Sequence, residues 1–181
     1  VSVASGIENI ISAFPDLLPH KVALGLVVIF ILMILNLRGL KESASVFALP
    51  TYFFIGSFVV LIVTGFYKVM SGQVISAVPV MGQAYPEIAL FLMLRAFASG
   101  CTALTGVEAI SNGIPVFRSP AQKNAKVTLT WMVLILGTFF LGITVLAHIF
   151  GVIPDPEHGQ TAISLLSKAI FGDSFFYYFV Q

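Results

Sequence analysis

The feature that most constrains the fold is a series of long, nearly uncharged apolar segments. They cover residues 22–40, 46–70, 88–117 and 127–153, and a further one begins at 174–181. Crossing about 30 Å of hydrocarbon takes about 20 mostly apolar residues in a helix, so each of the first four segments is long enough. Because the apolar residues run continuously and do not alternate with polar ones, helices are favoured over barrel strands. The sequence therefore predicts an all-α integral membrane protein.

Composition and charge exclude several other classes. Hydrophobic residues make up 58% of the chain and charged residues 9%, and the mean hydropathy is +1.01. These values lie far outside the range of soluble globular domains. The net charge of +1 argues against a nucleic-acid partner, and the single Cys101 against a disulfide framework. Since Val1 is neither an initiator Met nor part of a signal peptide, we expect the chain to be a fragment.

The basic residues of the short loops predict the orientation in the membrane. Cytoplasmic loops carry an excess of Lys and Arg, and one side of this chain collects Arg38, Lys41, Arg118, Lys123 and Lys126. We expect that side to face the cytoplasm and the loop 154–173 to face outward. Within this loop, 161–171 has the pattern of a short amphipathic helix on the membrane surface. Tyr177 and Tyr178 are expected in an interfacial aromatic belt.

The segment 88–117 is too long for one straight span. As a continuous helix it would extend about 45 Å, at about 1.5 Å per residue. Gly100 and Gly106 weaken it at mid-length, and Ser-Asn-Gly-Ile-Pro at 111–115 marks a second weak point. Unwound backbone is tolerated in a bilayer only where it lines an enclosed or watery cavity, as in transporters. We expect the chain to unwind over 103–105, unless the glycines only allow tight helix packing.

Glu108 is the strongest candidate functional residue, because a carboxylate near the bilayer centre costs several kcal/mol. If the helix restarts at Gly106, Glu108 lies in the first turn of the inner half-helix, where the helix dipole stabilises an anion. Burial opposes this effect, so such a group can exchange a proton as its surroundings change. Its carboxylate, the Thr102 and Thr105 hydroxyls and nearby carbonyls are oxygen ligands suited to an alkali cation. The alternatives are a packing role for Glu108 and threonine hydroxyls bonded to the preceding turn.

Other chemistry-bearing residues carry weaker signals. Arg95 could extend to the interface or pair with another helix, and His148 lies near the end of its span. Cys101 has no His or carboxylate at the spacing of a nucleophile. An intramembrane hydrolase that uses Glu108 and His148 is a rival function, although no metal-ligand spacing accompanies them. A purely structural membrane subunit is a further alternative.

Three motifs resemble one superfamily of transporters. Thr-Gly-Val-Glu-Ala at 105–109 and the later Pro-Ala-Gln-Lys-Asn-Ala at 120–125 resemble the sixth helix and following loop of the amino acid–polyamine–organocation superfamily. Asn-Leu-Arg-Gly-Leu-Lys-Glu-Ser at 36–43 is similar to its turn between helices four and five, most closely in the branch of KimA-type potassium–proton symporters, relatives of the Kup family. The resemblance implies a fragment, from the end of helix 3 to the start of helix 8, of a LeuT-like inverted-repeat transporter with a broken helix 6.

This resemblance also implies a function. It predicts a multi-pass protein of the cell membrane that imports potassium together with protons, with Thr105 and Glu108 binding potassium and Glu108 coupling the proton. Thr102 is a further candidate ligand. An amino-acid permease of the same fold is the alternative, although the small, oxygen-bearing residues at 102–105 suit an ion better. No cofactor is expected beyond the transported potassium ion and proton, and the full protein is expected to be a homodimer.

Overall fold

The computed structural model describes residues 2–37, 40–73, 90–101, 105–152 and 160–181. Two short 3₁₀ helices in these ranges, Pro15–His20 and Ile114–Val116, accompany a set of α-helices. The α-helices are α1 Ser2–Ala13, α2 Lys21–Leu37, α3 Leu40–Met70, α4 Leu90–Cys101, α5 Thr105–Asn112, α6 Ala121–Ile149, α7 Ala162–Phe171 and α8 Phe175–Val180.

Three of the described helical segments are long and apolar enough to cross a membrane. They are Pro15–Leu37, Ala48–Met70 and Ala121–Ile149. Most apolar side chains of the first are exposed, and none of its residues is buried inside the structure. Such a surface is stable only in contact with lipid or with other apolar helices. The described helices therefore agree with the membrane location predicted from the sequence.

The chain divides into two compact units, of which the first comprises Val1–Pro79 and Leu141–Gln181. Its core combines Leu61 of α3, Leu146 of α6 and the residues Leu166 and Ile170 of α7, all at most 1% exposed. Spacing of three to four residues places the apolar side chains of α7 on one face. That face is buried in the core of this unit.

Local signals define both ends of α7. The Thr161 hydroxyl accepts a hydrogen bond from the Ser164 N–H at 3.1 Å, which caps the helix start. Gly172 follows the last residue with φ of 64°, a conformation that glycine adopts without strain, and its N–H donates to the Lys168 carbonyl at 2.8 Å. Residues 153–159 of the preceding loop lie outside the described residues.

Polar side chains join α1, α7 and α8 within the first unit. The Thr161 hydroxyl donates to Asn9 Oδ1 at 2.7 Å, and the Thr161 N–H donates to Ser12 Oγ at 3.3 Å. The Tyr177 hydroxyl donates to the Ser12 carbonyl at 3.2 Å and lies 2.9 Å from Ser164 Oγ. Tyr177 is only 6% exposed, so it is an interior residue and not part of an interfacial belt. Its apolar ring is buried because its hydroxyl finds partners there.

The second unit, Val80–Phe140, contains α4, α5 and the first part of α6. Helix α5 ends at Asn112, within the predicted weak point at 111–115. The Gly113 N–H donates to the Ala109 carbonyl at 3.0 Å, and the 3₁₀ turn Ile114–Val116, which contains Pro115, follows. Proline lacks the N–H that a continuing α-helix needs, which explains why the helix stops.

Candidate ion-binding site

Two of the three candidate ligands, Thr105 and Glu108, are carried by the short helix α5. Thr105 is its first residue and Glu108 lies in its first turn. Positions 105 and 108 are therefore one turn apart on a single helix. The helix begins one residue earlier than the predicted restart at Gly106, a difference within the usual uncertainty of helix ends. Thr105 is accordingly helical, and not part of an unwound stretch as predicted.

The rest of the predicted break falls on residues that the structure does not describe. Helix α4 ends at Cys101, and residues 102–104 lie outside the described ranges. Thr102, the third candidate ligand, is among them. Its role and the unwinding of 103–104 stay predictions.

Glu108 occupies the open face of α5. The residue is exposed, whereas Gly106 and Ile110, which lie four positions apart, are half-buried. One side of this helix is thus packed and the other presents a carboxylate. A carboxylate in the first turn of a helix is stabilised by the N-terminal dipole by about 0.3–1 kcal/mol. Its two oxygens accept hydrogen bonds or coordinate a hard cation.

The packed side of α5 meets α6 at Gly106. A Cβ atom at position 106 would lie 3.1 Å from Met132 Sδ and 3.5 Å from Met132 Cε. Met132 is itself half-buried. Only glycine fits at 106 without displacing this side chain. Sequence reasoning did not single out Met132, because it stands in the continuous apolar stretch 131–136 of α6 and no local pattern indicates its partner.

Three threonines of α6 show the back-bonding considered for Thr102 and Thr105. The hydroxyls of Thr128, Thr130 and Thr138 donate to the carbonyls of Asn124, Lys126 and Leu134 at 3.0, 2.9 and 2.8 Å. Each hydroxyl is thus satisfied by its own helix. These residues are suitable controls for substitutions at Thr105.

The remaining candidates do not assemble into a second site among the described residues. Arg95 lies within α4, and Cys101, the last residue of that helix, is exposed. His148 is exposed in the last turn of α6. In the described ranges there is no group of three or more His, Cys, Asp or Glu residues that could hold a metal ion.

Comparison with known proteins identifies similar sequences over the whole chain. Residues 1–181 match the sequence model of a family described as amino acid permease. The chain is also 45% identical over 183 residues to the potassium transporter KimA of Bacillus subtilis (strain 168). The match covers 100% of this chain and 30% of that relative. The chain therefore spans about a third of the length of the curated relative that it matches.

Proposed function

This chain belongs to the amino acid permease family, within the amino acid–polyamine–organocation superfamily, and we propose that it forms part of a proton-coupled potassium importer. The family and the relative are membrane transporters and not enzymes. The protein is accordingly a multi-pass membrane transporter, as the motifs and apolar segments predicted. Its substrate, its coupling ion and a homodimeric assembly are parts of the proposal.

The observation that carries the proposal is the position of Glu108 in the first turn of α5, one turn after Thr105. A potassium ion that leaves water needs several oxygen ligands and compensation of its charge. The Thr105 hydroxyl offers a neutral oxygen and the Glu108 carboxylate offers both an oxygen and a negative charge. Thr102 is proposed as a further ligand. The 45% identity to a potassium transporter favours potassium over an amino acid as the substrate.

Glu108 is also the proposed carrier of the coupled proton. An ionised carboxylate only accepts hydrogen bonds, whereas a protonated one also donates and has lost its charge. Protonation therefore changes the contact between Glu108 and a bound cation. Ion and proton binding are then linked through one side chain, and each affects the affinity for the other.

Substrate selectivity is tested with the full-length protein that contains this chain, reconstituted in lipid vesicles. We expect it to take up potassium or rubidium in response to a pH gradient and to respond little to amino acids. Uptake of a labelled amino acid that potassium does not inhibit would instead establish the amino-acid permease alternative, which the family description also allows.

The site is tested by Glu108→Gln, which keeps the size of the side chain and removes its charge and titration. Uptake driven by the pH gradient should be lost while the protein stays folded. The matched control is Glu8→Gln, because Glu8 is an exposed carboxylate of α1 whose oxygen lies 3.0 Å from Lys21 Nζ. The control should transport normally. Unchanged rate, affinity and pH dependence in Glu108→Gln would make this carboxylate a packing residue.

Thr105→Ala separates ion binding from proton coupling. Loss of one neutral ligand costs about 1 kcal/mol, which corresponds to about a fivefold rise in KM for potassium. Coupling to the pH gradient should remain, because Glu108 is unchanged. Thr138→Ala removes a hydroxyl that donates to the Leu134 carbonyl within α6, and it should leave KM unaltered. Equal changes of KM in Thr105→Ala and Thr138→Ala would contradict a ligand role for Thr105.

A further inference from the structure

Helix α5 contacts α6 at Gly106, where there is little space for a larger residue. A Cβ atom at Gly106 would approach Met132 Sδ to 3.1 Å, a separation tighter than nine in ten real Cβ contacts. The Met132 side chain is unbranched and flexible, so it can move by a few tenths of an ångström while still filling the space beside Gly106. A larger residue at 106 must therefore displace either the Met132 side chain or α5 itself.

The contact lies on a different face of α5 from the carboxylate. At about 100° per residue, positions 106 and 108 point about 200° apart around the helix axis. Gly106 is half-buried and Glu108 is exposed. A change at the contact can therefore displace Glu108 without touching it. Because α5 has only eight residues, it has no long helical segment of its own that would absorb such a displacement.

We propose that the contact between Gly106 and Met132 sets the position of the Glu108 carboxylate, which makes Met132 a positioning residue for the ion site. This inference rests on the proposed function of Glu108 in binding the cation. Coordination tolerates only small displacements of a ligand, since sites must be held within about 0.5 Å of their productive geometry. An added methyl group at 106 requires a displacement of a few tenths of an ångström, which uses up much of that margin wherever α5, and not Met132, is the part that moves.

The test changes the side-chain volumes at positions 106 and 132 in the full-length protein. Gly106→Ala adds a methyl group, Met132→Ala removes most of the opposing side chain, and the double variant does both. We expect each single variant to raise KM for potassium by about tenfold, with a smaller change in kcat. The double variant should return KM to within about twofold of the parent, because the added methyl group occupies vacated space. Gly137→Ala is the control, since nothing lies within 4 Å of a Cβ there.

A second measurement does not depend on transport. Potassium that binds the folded state raises the melting temperature of the purified protein. This potassium-induced shift should shrink in Gly106→Ala, recover in the double variant and stay unchanged in Gly137→Ala. If Gly106→Ala fails to fold, the same comparison is made between Met132→Ala and the double variant.

The outcomes separate this inference from the proposed function. If Glu108→Gln abolishes coupled uptake but the single variants at 106 and 132 keep the parental KM, the positioning role is wrong and the ion site stands. A double variant no better than Gly106→Ala alone also overturns it. If Glu108→Gln transports normally, the proposed role of Glu108 in the ion site has failed, and the inference that depends on it fails too. If the contact were merely structural, the single variants would lower the yield and stability of the protein, but they would not raise KM in a way that the double variant reverses.

Discussion

The close contact of Gly65 in α3 with side chains of α6 and α7 predicts the effect of Gly65→Ala. A Cβ atom at this position would lie 2.7 Å from Leu146 Cδ1 and 2.9 Å from Ile170 Cδ1. Both neighbours are in the core, 0% and 1% exposed, and have little room to move away. Overpacking of this kind costs about 1–3 kcal/mol. The gain in helix propensity from Gly to Ala, up to about 1 kcal/mol, offsets part of this cost.

Gly56→Ala isolates the packing contribution, because it makes the same chemical change in the same helix. Nothing lies within 4 Å of a Cβ at position 56, so this variant gains the propensity without the collision. The difference in unfolding free energy between the two variants should therefore be about 1–3 kcal/mol, with Gly65→Ala the less stable. Denaturant unfolding in detergent micelles measures this difference. Equal stabilities would show that the side chains of Leu146 and Ile170 can move away and that the surroundings of Gly65 are not tightly packed.

Two further predictions concern polar contacts of α7. Lys68→Met removes an ammonium that donates to the Ile170 carbonyl and should lower the unfolding free energy by about 1 kcal/mol. Lys168→Met, which breaks an exposed pair with Asp173 at 3.3 Å, should change the unfolding free energy by less than about half that amount in the same denaturant unfolding experiment. Tyr177→Phe should cost about 1–2 kcal/mol in denaturant unfolding, because the buried Ser164 hydroxyl loses a partner. The exposed Tyr178 makes Tyr178→Phe its control, and equal losses in these two variants would contradict the role of the Tyr177 hydroxyl.

Much of the helical architecture was predictable because its signals are local. Helix α7 has a threonine cap at Thr161, apolar residues at a helical spacing and Gly172 after its last residue. The end of α5 was predictable for the same reason, since Gly113 and Pro115 interrupt the helix. The position of Glu108 in the first turn of α5 was predicted from the nearby Gly106, where the helix was expected to restart. Each of these features depends on residues within a few positions of one another.

What the sequence could not indicate depends on distant partners. Ser12 and Tyr177 are 165 positions apart, and nothing near either residue shows that they share a hydrogen bond. Tyr177 was predicted to be interfacial because tyrosines near the ends of spans are often found at the membrane–water interface. The 12-residue α1 was not assigned, because it is too short to span a bilayer and its composition is mixed. The contact of Gly106 with Met132 likewise joins two helices with no local sign of each other.

The shortness of α5 gives a physical reason why the proposed ion site should depend on packing more than on its own helix. Isolated helices of fewer than about 12 residues are marginal in water even in favourable sequences, and α5 has eight. Gly113 and Pro115 at its end remove the option of extending it. Its orientation must therefore come from contacts such as that of Gly106 with Met132. A transporter must change the surroundings of its ion during each cycle, and a short helix held by packing contacts can shift with little loss of secondary structure.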